Sequence, residues 1–251
     1  MRRFIVPLIA MLIFVMFWEW LVWFNEWPNY KMASPSDLGP AFWKYRILFF
    51  SFGWDTLWRT VVGLCLSIFF GVFLGMIMGF SKIIQEGLYP LLIGFNAIPK
   101  ATIVPILALI FVGKHDFNTV LIAFLISFFP IAVSVSIGLS TLEPEYKDIL
   151  RALGASKFTI FWKIALPKTL PEFFGALKVA VTLAFIGTNL MEIVSPHGRG
   201  LGALFDSGKT NSDYPLMFAV LIALAILGIL LYYMVVFLER TFAGWADQLS
   251  R

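Results

Sequence analysis

The sequence predicts an all-α protein that crosses a membrane several times. Of its 251 residues, 60% are hydrophobic and only 14% are charged, whereas soluble domains are about half apolar and about a quarter charged. Six apolar segments follow one another along the chain, each near the length that a helix needs to cross the hydrocarbon core. We therefore expect a polytopic membrane protein of six transmembrane helices, with residues 1–251 forming one transmembrane domain.

The six predicted spans lie near residues 4–24, 56–80, 88–112, 120–139, 173–194 and 215–238. The first span follows Arg2 and Arg3 and ends among tryptophans, without a small-residue cleavage site, which is typical of an uncleaved signal anchor. The third contains Pro99 and Pro105, which cannot donate backbone hydrogen bonds. We expect this span to be kinked and its freed backbone groups to be bonded by neighbouring helices or in a wet cavity.

Positive charge on the short flanks predicts the orientation of the spans. One side, which includes both termini, carries Arg2, Arg3, Lys82, Lys147, Arg151, Lys157, Lys163, Lys168, Lys178, Arg240 and Arg251. The other side carries Lys31, Lys44, Arg46, Arg59, Lys114, Arg199 and Lys209, spread over longer loops. Both termini and the loop 141–172 should therefore be cytoplasmic, and the loops 25–55, 113–119 and 195–214 should be external. Residues 25–55 are expected to lie along the outer membrane interface, and 195–214 to carry a short amphipathic element and to face a binding protein.

Small residues at helical spacing mark two spans as close-packing surfaces. The second span contains the repeat Gly71-x-x-x-Gly75-x-x-x-Gly79, continued upstream by Gly63 and Ser67. The fifth contains Gly175, Ala176, Ala180, Ala184 and Gly187. The pattern leaves open whether these residues serve packing within the chain or an interface between subunits.

The chain shows no pattern typical of a nucleotide, metal or catalytic site. The segment from Gly202 to Thr210 is similar to a phosphate-binding loop, but five residues separate its glycines where the motif has four. His115 and His197 lie in different loops without neighbouring ligands, and Cys65 lies in an apolar stretch. No run of basic residues suggests nucleic acid. We expect no cofactor, no metal ion, no nucleic-acid partner and no enzymatic activity in this chain.

The predicted cytoplasmic loop 141–172 contains two short amphipathic helices joined at Gly154. Pro144 suits the first turn of one helix, Gly154 ends it, and Ser156 can cap the second. Apolar residues recur at helical spacing in both helices: Tyr146, Ile149, Leu150 and Leu153, then Phe158, Phe161, Trp162 and Ala165. The apolar faces of these two helices must be shielded from water, either by lipid headgroups or by the groove of another protein.

The segment from Asp148 to Ser156, followed by Ile164-Ala165-Leu166-Pro167, resembles the coupling-loop signature of binding-protein-dependent ABC importer permeases. Gly154 and the Ile-x-Leu-Pro are in register with that signature, whereas Asp148-Ile149-Leu150 replaces its Glu-Ala-Ala. Further matches are similar to the nitrate, taurine and sulfonate branch: Thr56-Leu57-Trp58-Arg59-Thr60, Ile98-Pro99-Lys100 with Pro105, Phe129-Pro130, and Glu192 with Gly200-Leu201-Gly202.

The resemblance implies a type I ABC importer permease in the bacterial inner membrane. Two permeases, identical or related, would bind two ATPase subunits and a periplasmic solute-binding protein, and the ATPases would bind ATP and Mg²⁺. The loop would couple ATP hydrolysis to transport through Asp148, Ile149, Leu150, Arg151, Ala152, Gly154 and Ala155. Members of the branch handle nitrate, sulfonates, taurine, cyanate, aromatic acids, and pyrimidine or flavin precursors.

Three polar residues near the spans are candidates for the translocation pathway, because burying such groups in a membrane is costly. Lys100 follows Pro99 in the kinked span, where it could attract an anion, snorkel to the cytoplasm or pair with a helix carbonyl. Asn189 and Glu192 lie one turn apart at the outer end of the fifth span, where Glu192 could instead tie down the loop that follows. A secondary transporter or channel is the alternative function, but the broken span has no clear counterpart in the other half of the chain.

Overall fold

The protein is a bundle of α-helices in a computed structural model that describes residues 2–140, 154, 159, 163, 165–195 and 198–244. Within these residues the helices are α1 (Arg2–Phe24), α2 (Pro35–Lys44), α3 (Arg46–Phe80), α4 (Lys82–Ala97), α5 (Lys100–Ile110), α6 (His115–Ser140), α7 (Leu166–Val194), α8 (Leu201–Thr210) and α9 (Tyr214–Phe242). The described part of the chain contains no β-strand. The all-α prediction is confirmed.

Four helices, α3, α6, α7 and α9, are long and apolar enough to cross a membrane. If α4 and α5 are counted together as one bent span, the number is five. The apolar stretch Ile9–Phe24 of α1 is shorter, and its crossing as a sixth span stays a prediction. α3 begins at Arg46, well before the predicted start of its span at Thr56. Its 35 residues extend about 52 Å, beyond a hydrocarbon core of about 30 Å. The residues before Thr56 are also largely apolar, so the predicted start of the span lies inside a longer apolar helix.

The predicted kink in the third span is confirmed, and it lies at Pro99. α4 ends at Ala97, Ile98 and Pro99 are extended, and α5 leaves at an angle of 84°. A residue before proline is pushed out of the helical region, which explains the extended Ile98. Pro105 lies inside α5 without ending it, so only the first of the two prolines breaks the span.

The core of the bundle lies between α3, α6 and α7. Its fully or nearly fully buried apolar residues include Leu64, Ala123, Ile131, Val135, Phe174, Leu177, Ala180, Val181 and Ala184, with Leu231 and Val235 added from α9. Burying this apolar surface excludes solvent from the centre of the chain's own bundle. Many other large apolar side chains on α1, α3, α4 and α9 stay exposed, as expected of a chain whose outer surface meets lipid or another protein.

The small residues of α3 pack against α6 within the same chain. A Cβ atom added at Gly75 would lie 2.7 Å from both Ala132 O and Val135 Cβ, and one at Gly63 would lie 2.6 Å from Ala123 Cβ. Between these contacts, Ser67 Oγ hydrogen bonds with Ser127 Oγ at 2.6 Å. For this stripe the structure therefore decides between the two alternatives in favour of packing within the chain.

Both predicted external segments contain a short helix. α2 lies within 25–55, where Glu19 of α1 accepts hydrogen bonds from Ser36 N at 3.0 Å and Ser36 Oγ at 2.8 Å. α8 lies within 195–214 and packs Leu201 and Leu204 against α9. The expected amphipathic element in the second segment is confirmed.

We expect Gly75→Ala to destabilise the protein by up to about 2 kcal/mol. Overpacking against the α6 backbone should outweigh the gain of roughly 1 kcal/mol that alanine brings to a helix. Gly53→Ala, also in α3, is the matched control, because nothing lies within 4 Å of its added Cβ. Thermal unfolding of the detergent-solubilised protein measures both, and a Gly75 variant as stable as the Gly53 variant would contradict the packing.

Candidate functional site

A cluster of charged and hydroxyl groups, buried except for one exposed carboxylate, joins α3, α6 and α7 at the end of the bundle that carries α8. We call Thr56, Arg59, Asp116 and Glu192 the Arg59 cluster. Arg59 is 3% exposed and Glu192 is 0% exposed. Charged groups this deeply buried persist only where other charges and hydrogen-bond donors compensate for the lost water.

The guanidinium of Arg59 binds two carboxylates on two different helices. Its Nε donates to Asp116 Oδ1 at 2.8 Å, and Nη2 lies 2.7 Å from the same oxygen. Its Nη1 donates to Glu192 Oε1 at 3.2 Å and also to the carbonyl of Arg199. Because the Asp116 side chain is 62% exposed and Glu192 is fully buried, the first ion pair is solvated and the second is dry.

The carboxylate of Glu192 holds the beginning of α8. It accepts a hydrogen bond from Gly202 N at 3.0 Å, and Thr56 Oγ1 lies 2.8 and 3.0 Å from its two oxygens. Thr56 Oγ1 in turn accepts from Leu201 N at 2.8 Å. Amides in the first turn of a helix have no partner within the helix, and that end attracts negative charge. Glu192 and Thr56 thus fix the start of α8 to α7 and α3.

Gly200 must be a glycine because the chain passes so close to Glu192. Its φ angle of +131° lies in a region that side chains rarely adopt, and an added Cβ would lie 2.1 Å from Glu192 Cδ. An added Cβ at Gly202 would lie 2.7 Å from Asn189 O. The Gly200-Leu201-Gly202 sequence is therefore explained by its approach to the buried carboxylate.

Arg199 extends the cluster to the first turns of α3. Its Nε lies 2.9 Å from Asp55 Oδ2, and its Nη2 donates to Ser51 Oγ at 2.7 Å. The side chain of Arg199 also lies over the ring of Phe52. The carbonyl of Arg199 also accepts a hydrogen bond from Arg59. The segment before α8 is therefore held through both the backbone and the side chain of Arg199.

Asp213 forms a second polar contact at this end of the bundle, at the start of α9. It accepts from Leu216 N at 3.1 Å and from Tyr45 Oη at 2.6 Å, and Lys44 Nζ lies 3.7 Å away. Burial by itself would raise the pKa of Asp213, but the two hydrogen bonds and the Lys44 charge together hold that pKa below its usual value. The contact ties the junction of α2 and α3 to α9.

The sequence-predicted pathway residues occupy two different environments. Glu192 is in the Arg59 cluster, and Asn189 lies one turn earlier with its Nδ2 bonded to Phe185 O at 2.7 Å. Asn189 Oδ1 is buried and has no hydrogen-bond partner among the described residues. Lys100 instead binds backbone carbonyls at the end of α4, including Ile98 O at 3.1 Å. A role for all three in translocation stays a prediction.

Of the predicted coupling residues, the structure describes Gly154 alone. It is an exposed turn residue with a φ of +81°, a conformation that favours glycine. The others lie outside the described residues: Asp148, Ile149, Leu150, Arg151, Ala152 and Ala155.

The charge pattern predicts that Arg59 flanks the second span, whereas the structure buries it inside α3. The available signal was its position, because an arginine one turn into a long apolar segment is expected to be paired. The partners could not be named, since Asp116 is 57 residues and Glu192 is 133 residues away along the chain. No cluster typical of a metal site occurs among the described residues, and the arrangement is suited to fixing helices in place.

Comparison with known proteins places these features in a family. The family described as "Binding-protein-dependent transport system inner membrane component" matches residues 67–244. The formylaminopyrimidine transport permease protein ThiX of Halalkalibacterium halodurans is 34% identical over 79% of this chain and 78% of its own length. The taurine transport system permease protein TauC of Escherichia coli is 25% identical over 78% of this chain and 70% of its own.

The fold is similar to that of a solved transporter. A chain of the MetNI methionine ABC transporter, in an inward-facing conformation, superposes with a TM-score of 0.62. The superposition covers 81% of this chain and 98% of that chain at 20% sequence identity. The helical arrangement of the bundle is thus shared at low sequence similarity.

We expect Arg59→Met to destabilise the protein by about 3–5 kcal/mol, because it leaves the buried Glu192 carboxylate without its counter-charge. Adding Glu192→Gln should recover part of this loss by removing the uncompensated charge. Arg46→Met is the matched control in the same helix, since Arg46 is solvent-exposed, and its effect should stay within about 0.5 kcal/mol. Denaturant unfolding in detergent measures these three variants and the single variant Glu192→Gln. Losses at Arg59 and Glu192 that simply add would exclude the dry ion pair.

Proposed function

Because this chain belongs to the family of binding-protein-dependent transport system inner membrane components, and is the permease subunit of an ABC importer, we propose that a periplasmic binding protein delivers its solute. The solute then crosses the bacterial inner membrane while a separate subunit hydrolyses ATP. The observation that carries this function is the family match over residues 67–244, which includes the C-terminal part of α3 and all of α4 to α9.

We place both termini of this multi-pass membrane protein in the cytoplasm. The distribution of lysine and arginine supports this orientation. It puts the loop 141–172 in the cytoplasm, and it puts α2, α8 and the Arg59 cluster at the periplasmic ends of the helices.

The cytoplasmic loop is the proposed docking site of the ATPase. The segment that holds the coupling residues 148–152, 154 and 155 resembles the family signature with Gly154 in register, and no described atom lies within 4 Å of a Cβ atom added at the exposed turn residue Gly154. The ATPase would bind ATP and Mg²⁺, and the permease would need no cofactor of its own. A second permease copy, identical or related, would complete the pathway. In support, α4 has no buried residue in the single chain.

The Arg59 cluster would make the periplasmic surface rigid where the binding protein docks. α8 is attached through Glu192 to α7 and through Thr56 to α3. The residue before the helix, Arg199, is attached through Arg59 to Asp116 of α6. A displacement of α8 would then move three helices together, instead of being absorbed in a loose loop. The solute is proposed to be a small metabolite, such as the pyrimidine or the sulfonate that the names of the two relatives indicate.

Copurification tests the proposed assembly. The affinity-tagged full-length chain, extracted in mild detergent from its native cells, should retain an ATPase subunit. In nanodiscs, the ATPase activity of the complex should rise when its binding protein is added with solute. An active, solute-transporting chain that purifies without any ATPase would instead indicate a secondary transporter or channel.

We expect Gly154→Val to leave the protein inserted but uncoupled, because a β-branched residue cannot easily adopt the left-handed turn at φ +81°. Stimulated ATPase activity should fall by about tenfold or more, the effect expected of losing a few kcal/mol of docking contact. Gly113→Val is the matched control: Gly113 also has a positive φ (+78°), and no described atom lies within 4 Å of an added Cβ, but it lies at the opposite end of α6. Its variant should keep the stimulation. Parental ATPase rates in the Gly154 variant would contradict the coupling role.

A further inference from the structure

The break between α4 and α5 exposes backbone carbonyls at the bend of an apolar helix pair that is long enough to enter the membrane. The last carbonyls of a helix have no amide partner within the helix, and Pro99 offers no N–H group beyond the end of α4. At membrane depth such groups must be satisfied by protein or by water in a cavity. The 84° bend therefore needs a specific donor at this point.

Lys100 supplies that donor with its own side chain. The ammonium folds back on α4 and donates to Ile98 O at 3.1 Å, to Phe95 O at 3.5 Å and to Asn96 O. An ammonium has three N–H groups, and here it has three carbonyl partners. It also lies at the C-terminal end of α4, where the helix dipole favours a positive charge.

The position of Lys100 in the chain makes this contact a link between the two half-helices. Its backbone begins α5, whose Val104 is buried with Ile122 and Met191 of the bundle. Its ammonium binds the end of α4, which has no buried residue. Apolar packing thus holds α5 in the bundle, whereas α4 combines a ring contact of Phe95 with Phe128 with the polar contacts at the break.

We propose that the carbonyls of Phe95, Asn96 and Ile98 form a cation site at the break of the bent span, and that the Lys100 ammonium is its permanent, covalently attached occupant. Broken helices of ion-coupled transporters use the same chemistry, with unwound carbonyls coordinating a free cation. Here the attached ammonium fixes the angle between α4 and α5. Lys100 is thus a positioning residue, and the solute does not need to contact it.

Chemical rescue tests the site directly. In the full-length chain within its purified complex, Lys100→Ala removes three methylenes and the ammonium and leaves a space that propylammonium can fill. The melting temperature should fall by about 4 °C or more. High concentrations of propylammonium should restore about half of this loss by binding the folded state, and ATPase activity should recover in parallel. Tetramethylammonium, which has no N–H donor, should restore neither.

Two further variants separate the effect of the ammonium group from that of packing by the aliphatic part of the Lys100 side chain. Lys100→Met keeps an apolar chain of similar length, so it should lose the same stability as Lys100→Ala but should not respond to propylammonium. Lys100→Arg keeps charged donors and should be more stable than Lys100→Met. Equal rescue by tetramethylammonium, or an arginine variant no more stable than the methionine variant, would overturn the proposal.

The thermal readout does not depend on the permease function, on which only the ATPase readout rests. A complex without ATPase would refute the proposed function and leave the rescue of stability as a test of the cation site. Unchanged melting temperatures in all three variants, with reduced ATPase stimulation, would overturn the cation site and assign Lys100 to the solute pathway.

Discussion

The buried ion pair of Arg59 and Glu192 is the constraint on which the rest of this end of the structure depends. Removing two charges from water is expensive, and their mutual attraction offsets that cost only when every remaining donor and acceptor is also bonded. Here the remaining partners come from Thr56, Asp116 and the backbone from Arg199 to Gly202. Completing the pair therefore brings α3, α6, α7 and the start of α8 into one arrangement.

A charged side chain binds a helix terminus at two places in the bundle, the start of α8 and the end of α4, and the charge has the opposite sign at each. At the start of α8, free amides meet the carboxylate of Glu192. At the end of α4, free carbonyls meet the ammonium of Lys100. Both are helix termini, where unpaired backbone groups and the helix dipole favour a nearby charge of opposite sign. An ABC permease that must break a helix within its span and anchor a short helix at its surface thus uses one charged side chain for each task.

Between these two points the bundle is held by close packing. The glycines of α3 let its backbone approach α6, and Ser67 and Ser127 add a hydrogen bond across the contact. A pair of helices packed this closely moves as one body. Motion during transport is then expected at α4, which has no buried residue in this chain.

Composition and periodicity by themselves determined that this chain is an all-α membrane protein, where its apolar segments lie and that one of them is kinked, because hydropathy, helix spacing and proline act over a few turns of chain. The loop motif similarly identified the family, since Gly154 and the Leu166-Pro167 end of the signature are local features. Only the tertiary structure decided that Arg59 is buried, that Glu192 holds α8, that the glycines of α3 face α6 and that Lys100 binds carbonyls of α4. Most of these contacts join residues far apart in the chain, and the last depends on a side-chain direction. The local pattern of a single sequence shows neither which distant residues meet nor in which direction a side chain points.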